Sequence, residues 1–313
     1  MKVLSLVTNR HARFYKTQTE MLEEQGVDFT HVFPPQQSSK RAERIEIDRS
    51  KIDYLKFYTS LLRESWDEYD VVHANYGLMT PFALAQPHRP IVLSLWGSDL
   101  TGRVGEVTKR FGKYCDEIIV MSPQMEMELG YEAHVIPHGI DLNQFKPMSQ
   151  SEARSAVGWD RETKHVLFPY KLSRRVKNYP LAERVVEEVR SEVSTPIELQ
   201  VVNDVEHEDV PLYMNAADAL LLTSRREGFP NSVKEAMACN LPVVSTDVGP
   251  LHDRLEEVEN SYVSKSESEL VTALTDVLCS GRRSNGREYA TDLSLEAMAD
   301  GIIEVYDKAL NGG

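Results

Sequence analysis

Cysteine is scarce in this chain: Cys115, Cys239 and Cys279 are the three among 313 residues. They are odd in number, far apart and free of any C-x-x-C pair, which excludes a disulfide framework and points to a reducing compartment. Long apolar runs are missing too, and none approaches membrane-spanning length. The opening run M-K-V-L-S-L-V, followed by Thr8, Asn9 and Arg10, is too short for a signal-peptide core and has no cleavage site. It reads as a first strand, and the expected location is cytoplasmic. Positive charge is in deficit, with 35 Lys and Arg against 49 Asp and Glu and a net charge of −14. That balance argues against nucleic acid as a partner, because a phosphate backbone needs a basic face. No G-x-G-x-x-G follows a strand, which sets a nicotinamide-dependent dehydrogenase aside. There is no convincing D-x-D and no His/Cys cluster at ligand spacing, so neither a metal nor a cofactor is expected.

What the chain does have is alternation. Short apolar runs recur at Val3–Val7, Phe29–Phe33, Val71–Ala74, Ile91–Trp96, Ile118–Met121 and Val135–Pro137, then at Val166–Phe168, Leu199–Val202, Ala219–Leu222, Val243–Ser245 and, weakly, Tyr262–Val263. Helical patterns lie between them, among them Phe14–Gln25, Leu181–Arg190, Ser232–Cys239, Leu270–Leu278 and Leu295–Leu310. Continuous apolar strands alternating with amphipathic helices predict parallel sheet covered on both faces. Eleven such runs are too many for one ordinary doubly wound sheet, and the polar stretch Phe145–Ser151 with Pro147 is the natural cut. The expectation is therefore α/β, with two doubly wound, Rossmann-like domains.

In open parallel sheets ligands bind beyond the carboxyl ends of the strands, so the residues that follow the runs carry the information. Three constellations stand there. Ser224 to Asn231 runs from a strand into a loop with Gly228 and Pro230, and a helix starts near Asn231, a good N-cap. A helix start favours anions and a glycine permits close approach of a ligand. Glu227 in the loop and Glu235 in the helix are acceptors for sugar or ribose hydroxyls, or else two solvated glutamates. Lys171 to Asn178 clusters Lys171, Arg174, Arg175 and Lys177 after another strand, which suits a diphosphate clamp or a solvated charged loop. Pro137 to Pro147 reads as a structured crossing between domains, in which Gly139 suggests an unusual backbone angle.

Taken together these stretches resemble the family 4 retaining glycosyltransferases of the GT-B fold, and the likeness covers most of the chain. E-G-F-P-N-S-V-K-E-A-M-A-C-N-L-P-V-V-S-T is similar to that family's E-x7-E signature, with Glu227 and Glu235 as its two acids. Pro137 to Pro147 resembles its linker motif P-x-G-x-D-x-x-x-F-x-P, and R-R-V-K-N its phosphate-holding loop. D-V-V-H-A-N-Y-G, W-G-S-D and D-E-I-I-V-M-S-P are typical of its N-terminal half. The resemblance implies an acceptor-side domain of residues 1–145 joined by a C-terminal helix, 295–313, and a nucleotide-sugar domain of residues 146–294. It implies a catalytic set of Glu227, Arg174 and Lys177, with Arg174 and Lys177 on the donor diphosphate and Glu227 on the transferred sugar. Glu235 would hold the ribose, while Gly228, Phe229, Pro230, Asn231, Arg175, His138 and Gly139 would border the donor.

The sequence departs from the family in three places. Tyr170-Lys171-Leu172 stands where Gly-Arg-Leu is usual, Thr8 to Arg13 replaces a glycine-rich turn, and Trp96 stands where many members have His. Acceptor-side candidates are Asp99, Trp96, His73 and Arg10. Asp99 serves either as a base or as a helix cap, and His73 either orients the acceptor or packs at a strand end. Arg10 to Lys16 either docks a lipid-linked or phosphorylated acceptor at a membrane surface or simply begins a helix.

The implied activity is transfer of a hexose or derivative from a nucleoside-diphosphate sugar to an acceptor hydroxyl, with retention of configuration and without a metal. The acceptor would be lipid-linked or a glycan, and the protein would sit peripherally at an inner membrane face. A nucleotide-sugar isomerase or hydrolase of related fold would turn over donor without acceptor. A non-catalytic sugar-binding protein would need no phosphate clamp.

Overall fold

In the computed structural model, which describes residues 1–35 and 50–312, the chain forms two compact units, Met1–His138 with Met298–Gly313, and Gly139–Ala297. The first unit runs β1 (Lys2–Val7), α1 (Arg13–Glu24), β2 (Asp28–Val32), α2 (Lys51–Glu64), β3 (Val71–Asn75), α3 (Thr80–Leu84), β4 (Ile91–Ser94), α4 (Gly102–Phe111), β5 (Glu117–Val120), α5 (Pro123–Leu129) and β6 (His134–Val135). The second runs α6 (Gln150–Val157), β7 (Lys164–Phe168), α7 (Tyr179–Glu192), β8 (Ile197–Val201), α8 (Val210–Ala216), β9 (Ala219–Leu222), α9 (Asn231–Ala238), β10 (Val243–Thr246), α10 (Leu251–Leu255), β11 (Tyr262–Ser264) and α11 (Glu267–Ser280). Helix α12 (Leu295–Asn311) follows.

Each of the eleven apolar runs is a strand. The six-stranded sheet has the order β2-β1-β3-β4-β5-β6 and the five-stranded sheet β11-β10-β9-β7-β8. Every pairing in both is parallel. The reason is visible in burial: Val71 to Asn75 and Ala219 to Leu222 are buried at every position, so helices must cover both faces.

Helix ends follow local chemistry. Ser50 and Asp53 form a reciprocal capping box at the start of α2, which satisfies two donors that a helix start leaves open. Ser122 caps α5, Pro123 occupies its first turn, and Gly130 at φ +87° closes it. The apolar stripe of α12 is buried at Leu295, Met298, Ile302, Val305, Tyr306 and Ala309. Within the first unit this helix bonds through Tyr306, whose hydroxyl lies 2.6 Å from His73 Nδ1, and Asp300 Oδ1 accepts from Gln25 Nε2 at 2.9 Å.

Candidate functional site

Strand order reverses direction twice, between β1 and β3 in the first sheet and between β7 and β9 in the second. Loops leaving adjacent strands at such a point diverge to opposite faces and open a crevice at the carboxyl edge. In the second unit the two loops are the ones that carry the basic and the acidic constellations.

The loop after β7 ends in a tight turn, Arg175–Lys177, and Asn178 at φ +54° starts α7. The loop after β9 is stitched to it. Thr223 Oγ1 donates to the carbonyls of Lys177 and Asn178 at 3.0 and 3.2 Å, and the Arg225 amide donates to Val176 at 2.9 Å. That clamp turns Lys177 inward. Its ammonium meets Glu227 Oε1 at 2.5 Å and lies 3.7 Å from the centre of the Tyr170 ring. Both partners are largely buried, with side-chain exposures of 4% for Lys177 and 13% for Glu227. Burial lowers the Lys177 pKa, against the opposing pull of Glu227. The Tyr170 hydroxyl bonds Ser232 Oγ, and burial pushes its pKa up.

Glu227 and Gly228 rest on a third loop. A side chain at Gly249 would meet the Gly228 carbonyl oxygen at 2.5 Å and the Glu227 oxygen at 3.0 Å, and Gly249 sits at φ +58°. Only glycine meets both demands. Helix α9 begins with Pro230 as its N-cap, one residue before the Asn231 expected from side-chain preference. Proline supplies no side-chain acceptor there, and its carbonyl takes the Val233 amide at 3.1 Å. Glu235 is buried on this helix, one position after Lys234, which is fully buried. Lys234 lies 5.0 Å from the Phe229 ring centre, with Arg254 5.6 Å from the same ring. Burial lowers the Lys234 pKa to about 7, with Glu235 opposing. Arg174 and Arg175 are exposed at the rim of the basic turn.

Gly139 has a reason other than the expected backbone angle. Its φ is not positive, and a Cβ there would stand 2.5 Å from the Ser294 carbonyl oxygen and 2.7 Å from Leu295 Cα. Close approach of two backbones is the requirement. Ile140 bridges to Ser294 beside it, and Asp141 Oδ1 accepts the Asn143 and Gln144 amides at 2.8 and 3.1 Å to turn the chain.

The candidates in the first unit fall into two groups. His73 and Asp99 are buried. His73 is held between Tyr306 and Ser94 Oγ, the latter at 2.7 Å, and burial lowers its pKa to about 3. The Asp99 carboxylate collects the backbone amides of Trp96 at 2.9 Å, Gly97 at 2.8 Å and Gly77 at 3.2 Å. Burial raises its pKa to about 6 against those bonds. This capture bends the chain out of the sheet, which is why β4 ends at Ser94 rather than running to Trp96. Trp96, by contrast, is half-buried beside Phe14, ring centres 4.4 Å apart, and His138 at 6.0 Å. His138 Nε2 donates to the Phe14 carbonyl at 3.1 Å. Arg10 lies over the Phe33 ring at 4.4 Å.

Tyr170, Lys234 and Gly249 are contributors that the sequence reading did not assign to the site. The Gly-Pro pair at 249–250 was a visible turn signal. The other two depend on burial, which spacing does not report. Among the described residues no group of three or more His, Cys, Asp or Glu is placed to hold a metal ion.

Residues 178–280 match the family model for glycosyl transferases group 1, a segment that spans both loops' helices, α7 and α9. TuaC of Bacillus subtilis, named as a glycosyltransferase of teichuronic acid biosynthesis, is 25% identical over 236 residues. The match covers 66% of this chain and 60% of TuaC, so the chain spans about three fifths of that relative. Sucrose-phosphate synthase of Thermosynechococcus elongatus superimposes with a TM-score of 0.79 at 18% identity, over 100% of both chains. Anabaena HepE, solved in complex with UDP-glucose, superimposes with a TM-score of 0.69 at 16% identity, over 98% of this chain and 100% of its own. With its two parallel-sheet units the chain has the GT-B fold, and its segment 178–280 is similar to the glycosyl transferases group 1.

Proposed function

We propose that the chain transfers a hexose or hexose derivative from a nucleoside-diphosphate sugar to an acceptor hydroxyl, with retention of configuration. The observation that carries this reading is the Lys177–Glu227 pair beside Tyr170 at the switch point of the second sheet. A cation, a carboxylate and the positive end of α9 there match the three parts of such a donor. Lys177, with Arg174 at the rim, takes the diphosphate; Glu235 takes the ribose hydroxyls; Glu227 contacts the sugar. As the bond from the anomeric carbon to the diphosphate breaks, charge grows on the leaving oxygens, where Lys177, Arg174 and the start of α9 stabilise it. The sugar carbon becomes cation-like, as in glycoside hydrolysis. The acceptor oxygen then attacks from the face the diphosphate leaves, and its proton passes to the departing phosphate. This assignment takes its positive charge from protein groups and needs no resident metal. HepE, solved with UDP-glucose, supports a nucleoside-diphosphate sugar as donor class. The acceptor is a glycan or a lipid-linked hydroxyl.

The two acids separate in the test. Glu235→Ala removes charged hydrogen bonds worth roughly 1.5–3 kcal/mol each, and ribose is unchanged through the reaction. Calorimetry should therefore show weaker binding of UDP itself. Glu227→Ala should lower turnover of the full donor more than it lowers affinity for UDP, which lacks the sugar. Equal loss of UDP affinity in both variants would show that Glu227 does not serve the sugar. Absence of any binding of UDP or of other nucleoside diphosphates would refute the reading as a whole.

A further inference from the structure

Helix α9 holds a lysine where burial calls for an apolar side chain. Its residues from Ser232 to Ala238 are all buried, and Lys234 among them is fully enclosed. The position disfavours a cation on three counts. Lys234 is the fourth residue of the helix, near its positive end. Arg254 of α10 brings a second cation to the same aromatic ring, its guanidinium 5.6 Å and the Lys234 ammonium 5.0 Å from the centre of Phe229. Burial itself penalises the charged form and lowers the Lys234 pKa to about 7. Glu235, next in sequence, opposes that shift, and Asp292 holds Arg254 at 2.7 Å. A methionine would fill a similar volume without these costs, so stability of the fold does not account for the lysine.

Phe229 ties this cation to the donor loop. It is buried, stands between Gly228 and Pro230, and follows Glu227 by two positions. The loop's other seat is backbone, where Gly249 meets the carbonyls of Glu227 and Gly228. We propose that Lys234 is a positioning residue for donor binding: its ammonium, seated on the Phe229 ring, holds the loop from Glu227 to Pro230 in the shape that receives a nucleoside diphosphate. A ring fixed in this way sets the path of the Gly228 and Phe229 backbone, and with it the aim of the Glu227 carboxylate and of the amides that open α9. The inference deepens the transferase reading and rests on it. An aromatic face attracts an ammonium and not a neutral amine, so the hold weakens as the lysine loses its proton. The charged groups around the contact are Glu235 on the same helix, Arg254 from α10 with Asp292 behind it, and the Lys177–Glu227 pair at the start of the loop. Lys177 has a pKa lowered by burial as well, but it is common to the parent and to every Lys234 variant, as is the phosphate titration of the nucleotide.

The test is calorimetry with UDP on the full chain and on Lys234→Met, at about pH 6.5 and about pH 8.5. At the lower pH the parent should bind UDP roughly tenfold more tightly than the variant, about 1.4 kcal/mol and within the worth of a desolvated cation–π contact. At the higher pH most of the lysine is neutral, and the gap should narrow to about threefold or less. Lys234→Arg keeps its charge throughout and should hold its UDP affinity across the same range. Thermal unfolding without nucleotide gives a second measure. The native lysine takes its proton only below about 7, whereas the unfolded one takes it below 10.5, so the parent carries the full cost below about 7 and none above 10.5. Lys234→Met should therefore melt above the parent near neutrality, with the difference shrinking as pH rises. Equal UDP affinity in parent and methionine variant at the lower pH, or a gap that persists unchanged at the higher, overturns the proposal. So does a methionine variant that melts below the parent, since the lysine would then serve the fold. A parent that binds no nucleoside diphosphate overturns the transferase reading and this inference together, whereas UDP binding indifferent to Lys234 overturns this inference alone.

Discussion

Lys177 is held by two partners of opposite kinds, a carboxylate at 2.5 Å and an aromatic face at 3.7 Å. Removing it in Lys177→Ala strands Glu227, and breaking such a pair costs about 3–5 kcal/mol where it is fully desolvated. The smaller end of that range is expected here, because Glu227 keeps some contact with solvent. Turnover should fall by about 10²–10³, the scale of one lost charge-stabilising contact. A double cycle with Glu227→Gln separates the two effects: the stability loss should shrink in the double variant while the rate loss persists. His73 and Asp99 set a pH dependence in the first unit. The unfolded chain protonates His73 below its ordinary 6.5 whereas the native chain resists until about 3, so stability falls as pH drops through that window. Asp99 works the other way, since the native carboxyl takes its proton near about 6 and the unfolded one only near 3.8. The two slopes oppose each other where their windows overlap. Asp99→Asn should unmask the His73 slope, up to about 1.4 kcal/mol per pH unit, in urea unfolding followed across that range. A variant as flat as the parent would count against the assignment.

At the scale of elements, the loops are held by backbone contacts that tolerate no side chain. Gly249→Ala combines a positive φ with a Cβ 2.5 Å from a carbonyl oxygen. Strain of that sort costs about 1–3 kcal/mol, and the displaced loop is the one that carries Glu227. Donor affinity and thermal stability should both drop, whereas Gly26→Ala, also at positive φ but with open space around it, should cost stability alone. The strands themselves were legible from sequence because parallel sheet demands apolar residues on both faces, and that leaves an unbroken run. Helix starts were less so: side-chain preference favoured Asn231 as a cap, while Pro230 holds the position through its backbone. The Lys177–Glu227 contact joins residues fifty positions apart, and it exists because β7 and β9 are neighbours although β8 lies between them in sequence. Periodicity within a helix reports nothing of that order.

For the whole molecule, the residues proposed to hold the donor, Glu227, Arg174, Lys177 and Glu235, all belong to the contiguous unit Gly139–Ala297. UDP at about 100 times its dissociation constant stabilises what it binds by roughly 2.7 kcal/mol. Hydrogen exchange should therefore slow in the loops after β7 and β9 on adding UDP, and the amides of β1 and β3 should change little. Protection confined to the first unit would contradict the placement of the donor. The other unit is assembled from two distant stretches, Met1–His138 and Met298–Gly313, and this orders events on the ribosome. Its strands emerge first, yet Tyr306, the partner of buried His73, is translated only after the entire second unit. Until then the nascent chain must carry an incomplete core, with the seat of Met298, Ile302 and Tyr306 open to water, while the later unit is already free to fold. The part made first is thus the part finished last, and arrested nascent chains ending before Met298 should engage holdase chaperones through their opening half.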